Sequence, residues 1–159
     1  LRERSKRHPD GKSIFEEAWK NFTEQLKEDG YRITKSRETV FFTVAGRPGH
    51  FTAEELASEL ATGTSKVSRG TVYRTLALME EKGVVRSFRD CQMHFNYEYA
   101  LNKKHHEHIV CECCGEVIEF RSPVLQRLIE GICEQNEFCE RDHSVVVLGK
   151  CKRCLQKKK

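Results

Sequence analysis

The chain has 159 residues, with 28 Lys and Arg against 24 Asp and Glu and a net charge of +4. Such a length accommodates one domain or two small ones, which excludes large barrels and multidomain enzymes. The small charge argues against a protein that coats nucleic acid uniformly, and no apolar run is long enough to span a membrane. No signal-peptide pattern opens the chain, so we expect a cytoplasmic location.

Helical patterns dominate the first half of the chain. Residues 1–12 are polar and basic, and we expect a flexible arm there. Apolar residues at helical spacing predict four helices, over about 13–30, 34–46, 52–61 and 68–82. Capping boxes, in which a Ser or Thr and a Glu three residues later bond the free amides of a first turn, begin the first helix at Ser13 and the third at Thr52.

Two β-rich runs, over 84–88 and 94–99, follow the helices and are joined by a short loop. Several helices that end in a hairpin favour a winged helix-turn-helix domain over 13–99. The alternative is an ordinary small helical domain without a DNA-binding role.

The charges before the hairpin support DNA binding. Between Glu59 and Glu80 no acidic residue occurs, yet Lys66, Arg69 and Arg74 do. A helix that approaches phosphates and base edges avoids carboxylates because they would be repelled. The stretch therefore indicates a DNA-recognition helix, with chance as the alternative.

The second half predicts a small α/β unit over 100–155. Short strands are expected over 108–111, 116–120 and 143–148. A helix begins at Ser122, with Pro123 at its first position. The basic end, 156–159, is expected to be disordered. The fold class is α+β, with a winged-helix domain followed by this smaller domain.

Eight cysteines are present, and none precedes Cys91. Two Cys-x-x-Cys pairs stand out, formed by Cys111, Cys114, Cys151 and Cys154. Two pairs with this spacing favour a tetrahedral structural zinc site over disulfides or a redox pair. Cys113 breaks the spacing, and we expect Cys91, Cys133 and Cys139 to be ordinary thiols.

Three histidines surround a carboxylate just before the first cysteine pair. On a strand, alternate side chains share a face, so His106 and His108 would point one way and His105 and Glu107 the other. Such groups without thiolates suit Fe(II), Mn(II), Co(II) or Zn(II). The alternative is a solvated polar strand end.

Together these motifs resemble the ferric uptake regulator (Fur) superfamily of dimeric, metal-sensing bacterial repressors. The resemblance rests on His-His-Glu-His-Ile-Val-Cys-x-x-Cys-Gly over 105–115 and Ser-Arg-Gly-Thr-Val-Tyr-Arg over 68–74. It covers roughly 13–155. It implies a homodimer that binds a palindromic double-stranded DNA operator, without a membrane or small-molecule substrate.

The resemblance also implies residue roles. The four paired cysteines match the structural zinc site of the family. The regulatory metal ligands, at the junction of the two domains, would be His50, Glu98, His106, His108 and Glu119. Asn96 competes with Glu98 for its position. An additional, weaker site would use His105, Glu107, Gln126 and His143. Gln126 stands where the family has an acid. The DNA contacts would be Arg32, Arg37, Ser68, Arg69, Thr71, Tyr73 and Arg74.

The sensed signal is expected to be Fe(II), because Glu98 and a shell without thiols favour an iron sensor within the family. The regulatory site would hold Fe(II) or Mn(II), with Zn possible in its place. A peroxide sensor, in which bound iron oxidises a ligand histidine, is the first alternative. Cys91 in the hairpin loop keeps a zinc sensor open. A zinc-stabilised module without sensing is a further alternative. An enzyme is disfavoured because no nucleophile motif or phosphate-binding loop appears.

Overall fold

The computed structural model describes residues 14–62, 66–90, 94–101 and 105–156. The expectations for the arm, for Ser13, for Cys91 and for 157–159 lie outside the described residues. The elements follow in the order α1 (Ile14–Glu28), α2 (Lys35–Ala45), β1 (Phe51–Thr52), α3 (Ala53–Thr62), α4 (Arg69–Glu81), β2 (Val85–Arg89), β3 (Phe95–Tyr99), β4 (Glu107–Cys111), β5 (Val117–Phe120), α5 (Pro123–Gln135), β6 (Val146–Gly149) and α6 (Lys152–Gln156). The α+β class and the four helices with a following hairpin are confirmed.

The chain divides into two compact units. The first lies within Leu1–Ser87 and Asn96–Lys103, and the second within Phe88–Phe95 and Lys104–Lys159. No described helix combines the length and apolar character that crossing a membrane requires.

Side-chain caps begin α3 and α4 where the sequence predicts. The Thr52 amide donates to a Glu55 carboxylate oxygen at 2.8 Å, and the Glu55 amide donates to the Thr52 hydroxyl at 3.2 Å. This reciprocal pair is the expected capping box of α3. The Ser68 hydroxyl accepts from the Thr71 amide at 3.3 Å and starts α4.

An aromatic cluster forms the core of the first unit. The Phe41 ring is fully buried, and its centroid lies 5.5 Å from that of Phe22 and 5.1 Å from that of Trp19. A three-stranded sheet of order β1-β3-β2 closes this core. The two-residue strand β1 was not predicted. It pairs antiparallel with β3, with Phe51 opposite Tyr97 and Thr52 opposite Asn96.

The second unit contains a mixed sheet of order β5-β4-β6. Strand β4 runs antiparallel to β5 and parallel to β6, which places Cys111 opposite Gly149. The strand predicted over 143–148 is observed over Val146–Gly149, so His143 precedes it. The short helix α6 was not predicted.

Apolar side chains remain exposed in the second unit. Helix α5 buries none of its residues, although Val124, Leu128 and Ile132 recur at helical spacing on one face. On the sheet, Ile109 lies between Ile118 and Val147 in register, and all three are exposed. Exposed apolar groups of this extent are typical of a protein interface.

Candidate metal centres and nucleic-acid interface

The four paired cysteines meet in the second unit. Cys111 ends β4 and Cys114 lies in the following turn, whereas Cys151 precedes α6 and Cys154 lies within it. Their four sulfur atoms all lie within 4.8 Å of one another, and the Cys114 and Cys151 sulfurs are 3.8 Å apart. Sulfurs in a tetrahedron about 2.3 Å from zinc are separated by about 3.8 Å. The cluster therefore has the size of a zinc shell.

Hydrogen bonds shift the pKa values of these thiols in opposite directions. The Cys151 amide donates to the Cys111 sulfur at 3.3 Å, and this bond, with those of nearby amides, lowers the pKa of Cys111 to about 6. Hydrogen bonds with the Cys151 and Cys114 side chains raise the pKa of Cys154 to about 12. Four adjacent thiolates repel one another, and a divalent cation removes that repulsion.

Arg153 adds a positive charge beside this cluster. Its guanidinium donates to the Cys114 sulfur at 3.6 Å and lies 3.5 Å from the Glu116 carboxylate. Sequence reasoning missed this residue. The available signal was a basic residue inside the second Cys-x-x-Cys pair.

A second cluster combines His105, Glu107 and His143, whose ligand atoms lie within 4.8 Å of one another. The Nε2 atoms of His105 and His143 lie 2.7 and 3.1 Å from the same Glu107 oxygen, Oε1. The other oxygen, Oε2, accepts from the Val145 amide at 2.9 Å. Two imidazoles and one carboxylate with open positions are typical of sites for Fe(II) and similar ions.

Two further carboxylates lie beside the histidines of this cluster, and one of them orients His143. Glu140 is hydrogen-bonded to Nδ1 of His143, and Asp142 lies 3.9 Å from Nδ1 of His105. A carboxylate on Nδ1 fixes the tautomer that leaves Nε2 available to a metal. Sequence reasoning missed both residues, because neither stands at a spacing that suggests a ligand.

Hydrogen bonds decide the ionisation of this cluster. Burial favours neutral Glu107, but bonds from His105, the Val145 amide and His143 outweigh it and lower its pKa. Burial likewise opposes a charge on His143, but bonds to Glu140 and Glu107 raise its pKa. The proposed fourth ligand, Gln126, lies on α5, where its amide nitrogen donates to Glu130 at 2.9 Å.

The other predicted metal ligands form two groups, one in each unit. In the first unit, the β1–β3 pairing brings Nε2 of His50 to 3.9 Å from the carboxylate of buried Glu98, whereas Asn96 lies opposite Thr52. This arrangement favours Glu98 over Asn96 as the partner of His50.

In the second unit, the buried rings of His106 and His108 have centroids 5.0 Å apart. Nε2 of His106 lies 3.7 Å from Glu119 on the adjacent strand β5. The alternation predicted along 105–108 is confirmed, since His106 lies near His108 whereas His105 lies against Glu107. The five-residue ligand set as a whole stays a prediction.

Helix α4 presents a polar face to solvent. Tyr73, Arg69 and Arg74 are exposed, whereas Val72 and Leu76 are buried. Tyr73, 42% exposed, is therefore available for a contact outside the domain. Arg69 lies over the Tyr73 ring, 5.6 Å from its centroid.

The remaining predicted DNA contacts make local interactions. Ser68 caps α4, and its hydroxyl lies 2.9 Å from that of Thr71. The Arg37 guanidinium donates to the Arg32 carbonyl and lies 5.7 Å from the Tyr31 ring centroid. These contacts fix Arg37 near the start of α2.

Comparisons with known proteins cover both units. The sequence model of a protein family described as "Ferric uptake regulator family" matches residues 28–148. A "Ferric uptake regulation protein" of Campylobacter upsaliensis is 36% identical over 140 residues, which cover 87% of this chain and 89% of that protein. A "Peroxide-responsive repressor PerR" of Staphylococcus aureus is 28% identical over 134 residues, which cover 83% and 88%. The structure of the Helicobacter pylori ferric uptake regulator Fur has a TM-score of 0.75 at 24% identity, covering 92% of this chain and 97% of that one. This likeness shows the shared fold.

Proposed function

Because the chain belongs to the ferric uptake regulator family, we propose that it is a repressor that senses Fe(II) in the cytoplasm and controls genes of iron homeostasis. The observation that carries the proposal is the pair of histidine and carboxylate groups, one in each unit, in a chain that also has a helix, α4, with Arg69, Tyr73 and Arg74 exposed. A repressor whose metal ligands and DNA-contacting helix belong to one chain can make operator binding responsive to metal.

The regulatory ion would be held by the five predicted ligands, His50, Glu98, His106, His108 and Glu119. Nitrogen and carboxylate ligands without thiolate suit Fe(II) and Mn(II), with Zn(II) possible in their place. An ion that binds one arrangement of the protein more tightly shifts the population toward it by its differential affinity. Metal concentration would thereby set operator occupancy.

The structural ion would be zinc, held by the four paired cysteines. The spacing of their sulfur atoms and the positive charge of Arg153 support this assignment. Zinc supplies folding free energy there by tying the turn after β4 to the end of the chain. The additional site would use His105, Glu107 and His143. Gln126, a neutral amide, would be a weak fourth ligand.

The active form would be a homodimer. The exposed apolar faces of α5 and of the second sheet support this, because burying them against a second copy is favourable in proportion to the area removed from water. Two copies would place two α4 helices on a palindrome, with half-sites about one helical turn or more apart.

A regulator accounts for the regulatory metal site better than an enzyme does. A catalytic metal centre needs an open coordination position and a general base in a cleft. The five regulatory ligands would instead fill the shell of their ion.

The test is a DNA-binding titration without oxygen. A duplex is first selected from a random library with Mn(II), and its binding is then measured against Fe(II), Mn(II) and Zn(II). We expect His50→Ala to lose metal dependence while keeping its zinc. The exposed His94→Ala serves as the control and should behave like wild type. Unchanged metal dependence in His50→Ala would refute the regulatory assignment.

Treatment with peroxide distinguishes an iron sensor from a peroxide sensor. The PerR relative favours testing it, although its identity to this chain is lower than that of the ferric relative. The Fe(II)-loaded protein is treated with peroxide, and the masses of peptides that contain His50, His106 and His108 are measured. An iron sensor keeps these masses unchanged. A gain of oxygen with loss of DNA binding would instead identify a peroxide sensor.

A further inference from the structure

An acidic residue from a neighbouring helix contacts the exposed face of α4. One oxygen of Glu54, Oε2, accepts from the Tyr73 hydroxyl at 2.9 Å and from the guanidinium of Arg69. Glu54 lies in the first turn of α3, outside the acid-free stretch from 60 to 79. The carboxylate that is absent from 60–79 is therefore supplied by the tertiary structure.

The three side chains form one connected unit on the surface of the first domain. Arg69 contacts both the Glu54 carboxylate and the Tyr73 ring, and Tyr73 contacts Glu54 through its hydroxyl. Arg69 is 66% exposed and Glu54 is 55% exposed, so a DNA molecule can reach them. A carboxylate and a phosphate accept the same guanidinium fork, and one Arg cannot satisfy both through the same donors.

We propose that Glu54 is a specificity-determining positioning residue, which holds Tyr73 and Arg69 toward base edges and away from generic phosphate contacts. The proposal rests on the DNA-binding function proposed above. On random DNA, the Arg69 donor that bonds Glu54 is not free for a phosphate, and the Glu54 charge repels the DNA backbone. On the cognate duplex, the Glu54–Tyr73 hydrogen bond is retained and orients the ring.

The consequence is a lower affinity for random DNA at little loss of affinity for the cognate duplex. An exposed ion pair contributes up to about 1 kcal/mol, equivalent to about fivefold in binding. Random DNA outnumbers operators by many orders of magnitude. Even a fivefold change in the ratio of the affinity for the operator to the affinity for random DNA therefore alters operator occupancy.

The test compares Glu54→Gln with Glu59→Gln. Both substitutions remove one negative charge from α3, but Glu59 pairs with Arg47 rather than with α4. Binding to the selected duplex and to a random duplex is measured by fluorescence anisotropy, with saturating Mn(II), from 50 to 200 mM salt. Thermal unfolding of both variants checks that the fold is kept.

We expect Glu54→Gln to bind random DNA about fivefold more tightly than Glu59→Gln does, with a salt slope steeper by about one phosphate contact. Its affinity for the selected duplex should stay within about twofold of the control. In Arg69→Gln, which lacks the cation that pairs with Glu54, the same Glu54→Gln change should have a smaller effect on random DNA, because the contact that it releases is already absent.

Equal binding by Glu54→Gln and Glu59→Gln, with wild type binding its selected duplex in a metal-dependent manner, would overturn the role of Glu54. Failure of wild type itself to bind any duplex with metal would instead refute the proposed function. The two failures are distinguishable because the first is read from the variants and the second from the unmodified protein.

Discussion

Tyr99→Phe removes one buried hydroxyl from the core of the first unit while leaving the ring in place. Tyr99 is 7% exposed, and its ring contacts those of Phe15 and Phe41. Among the described residues, its hydroxyl has no hydrogen-bond partner. A buried hydroxyl without a partner costs about 1–3 kcal/mol. We therefore expect Tyr99→Phe to be more stable than wild type by about 1 kcal/mol at pH 8.

The same burial makes the stability of wild type depend on pH. Burial raises the pKa of Tyr99 from 10.0 to about 12, because the ionised form is not solvated in the core. Since the pKa of Tyr99 is higher in the folded state, its ionisation leaves the unfolding free energy unchanged below pH 10. The unfolding free energy then falls as the pH rises toward 12. At pH 11, ionisation of Tyr99 raises the equilibrium constant of unfolding about tenfold, equivalent to a loss of about 1.4 kcal/mol of stability.

The assay is urea unfolding of zinc-saturated protein at pH 8 and pH 11, followed by circular dichroism. Between these values, the unfolding free energy of wild type should fall by about 1.4 kcal/mol more than that of Tyr99→Phe. Tyr31→Phe, at an exposed tyrosine, should follow wild type. Equal losses in wild type and Tyr99→Phe would refute the reasoning. A variant that is less stable by more than 1 kcal/mol at pH 8 would show that the hydroxyl is hydrogen-bonded.

Four other predictions address the metal sites, the recognition helix and the interface. Cys154→Ser should lose the structural zinc and lower the thermal unfolding midpoint, whereas Cys139→Ser should keep its zinc and the wild-type midpoint. Zinc retention in Cys154→Ser would contradict the assignment of Cys154 as a ligand. Glu107→Gln should weaken binding at the additional site at least tenfold in a Mn(II) titration by electron paramagnetic resonance, and unchanged affinity would exclude Glu107 as a ligand. Ser68→Ala should cost about 1 kcal/mol in urea unfolding because α4 loses its cap, and no cost would show that the cap is dispensable. Ile132→Glu should convert dimer to monomer in sedimentation with zinc unchanged, and a persistent dimer would place the interface elsewhere.

The helix starts were predictable because a cap depends on residues within one turn of the chain. Thr52 and Glu55 satisfy each other across three residues, and Ser68 bonds the Thr71 amide. The alternation of His105 and His106 was predictable for the same reason, since neighbouring residues in extended chain point to opposite faces. The spacing within each Cys-x-x-Cys pair likewise reports a local turn.

The contacts of the candidate sites depend on pairings that no local pattern contains. Strand β1 has two residues, too few for a recognisable alternation, yet its register with β3 brings His50 to Glu98. Strand β6 begins after His143, and His143 contacts Glu107 and Glu140, which lie outside that strand. Composition alone gave no means of anticipating these contacts.

The sequence by itself determined the classes of element, the two cysteine pairs as candidate zinc ligands and the basic character of 60–79. These are properties of residues close together along the chain. Only the tertiary structure decided how the two pairs meet, since the parallel β4–β6 register joins Cys111 to a segment about 40 residues away. It also placed Glu54 against Arg69 and Tyr73, so that a stretch without acidic residues faces a carboxylate from α3. The physical reason is that helix packing and strand register bring together residues distant in sequence, and charge complementarity acts across that short distance in space.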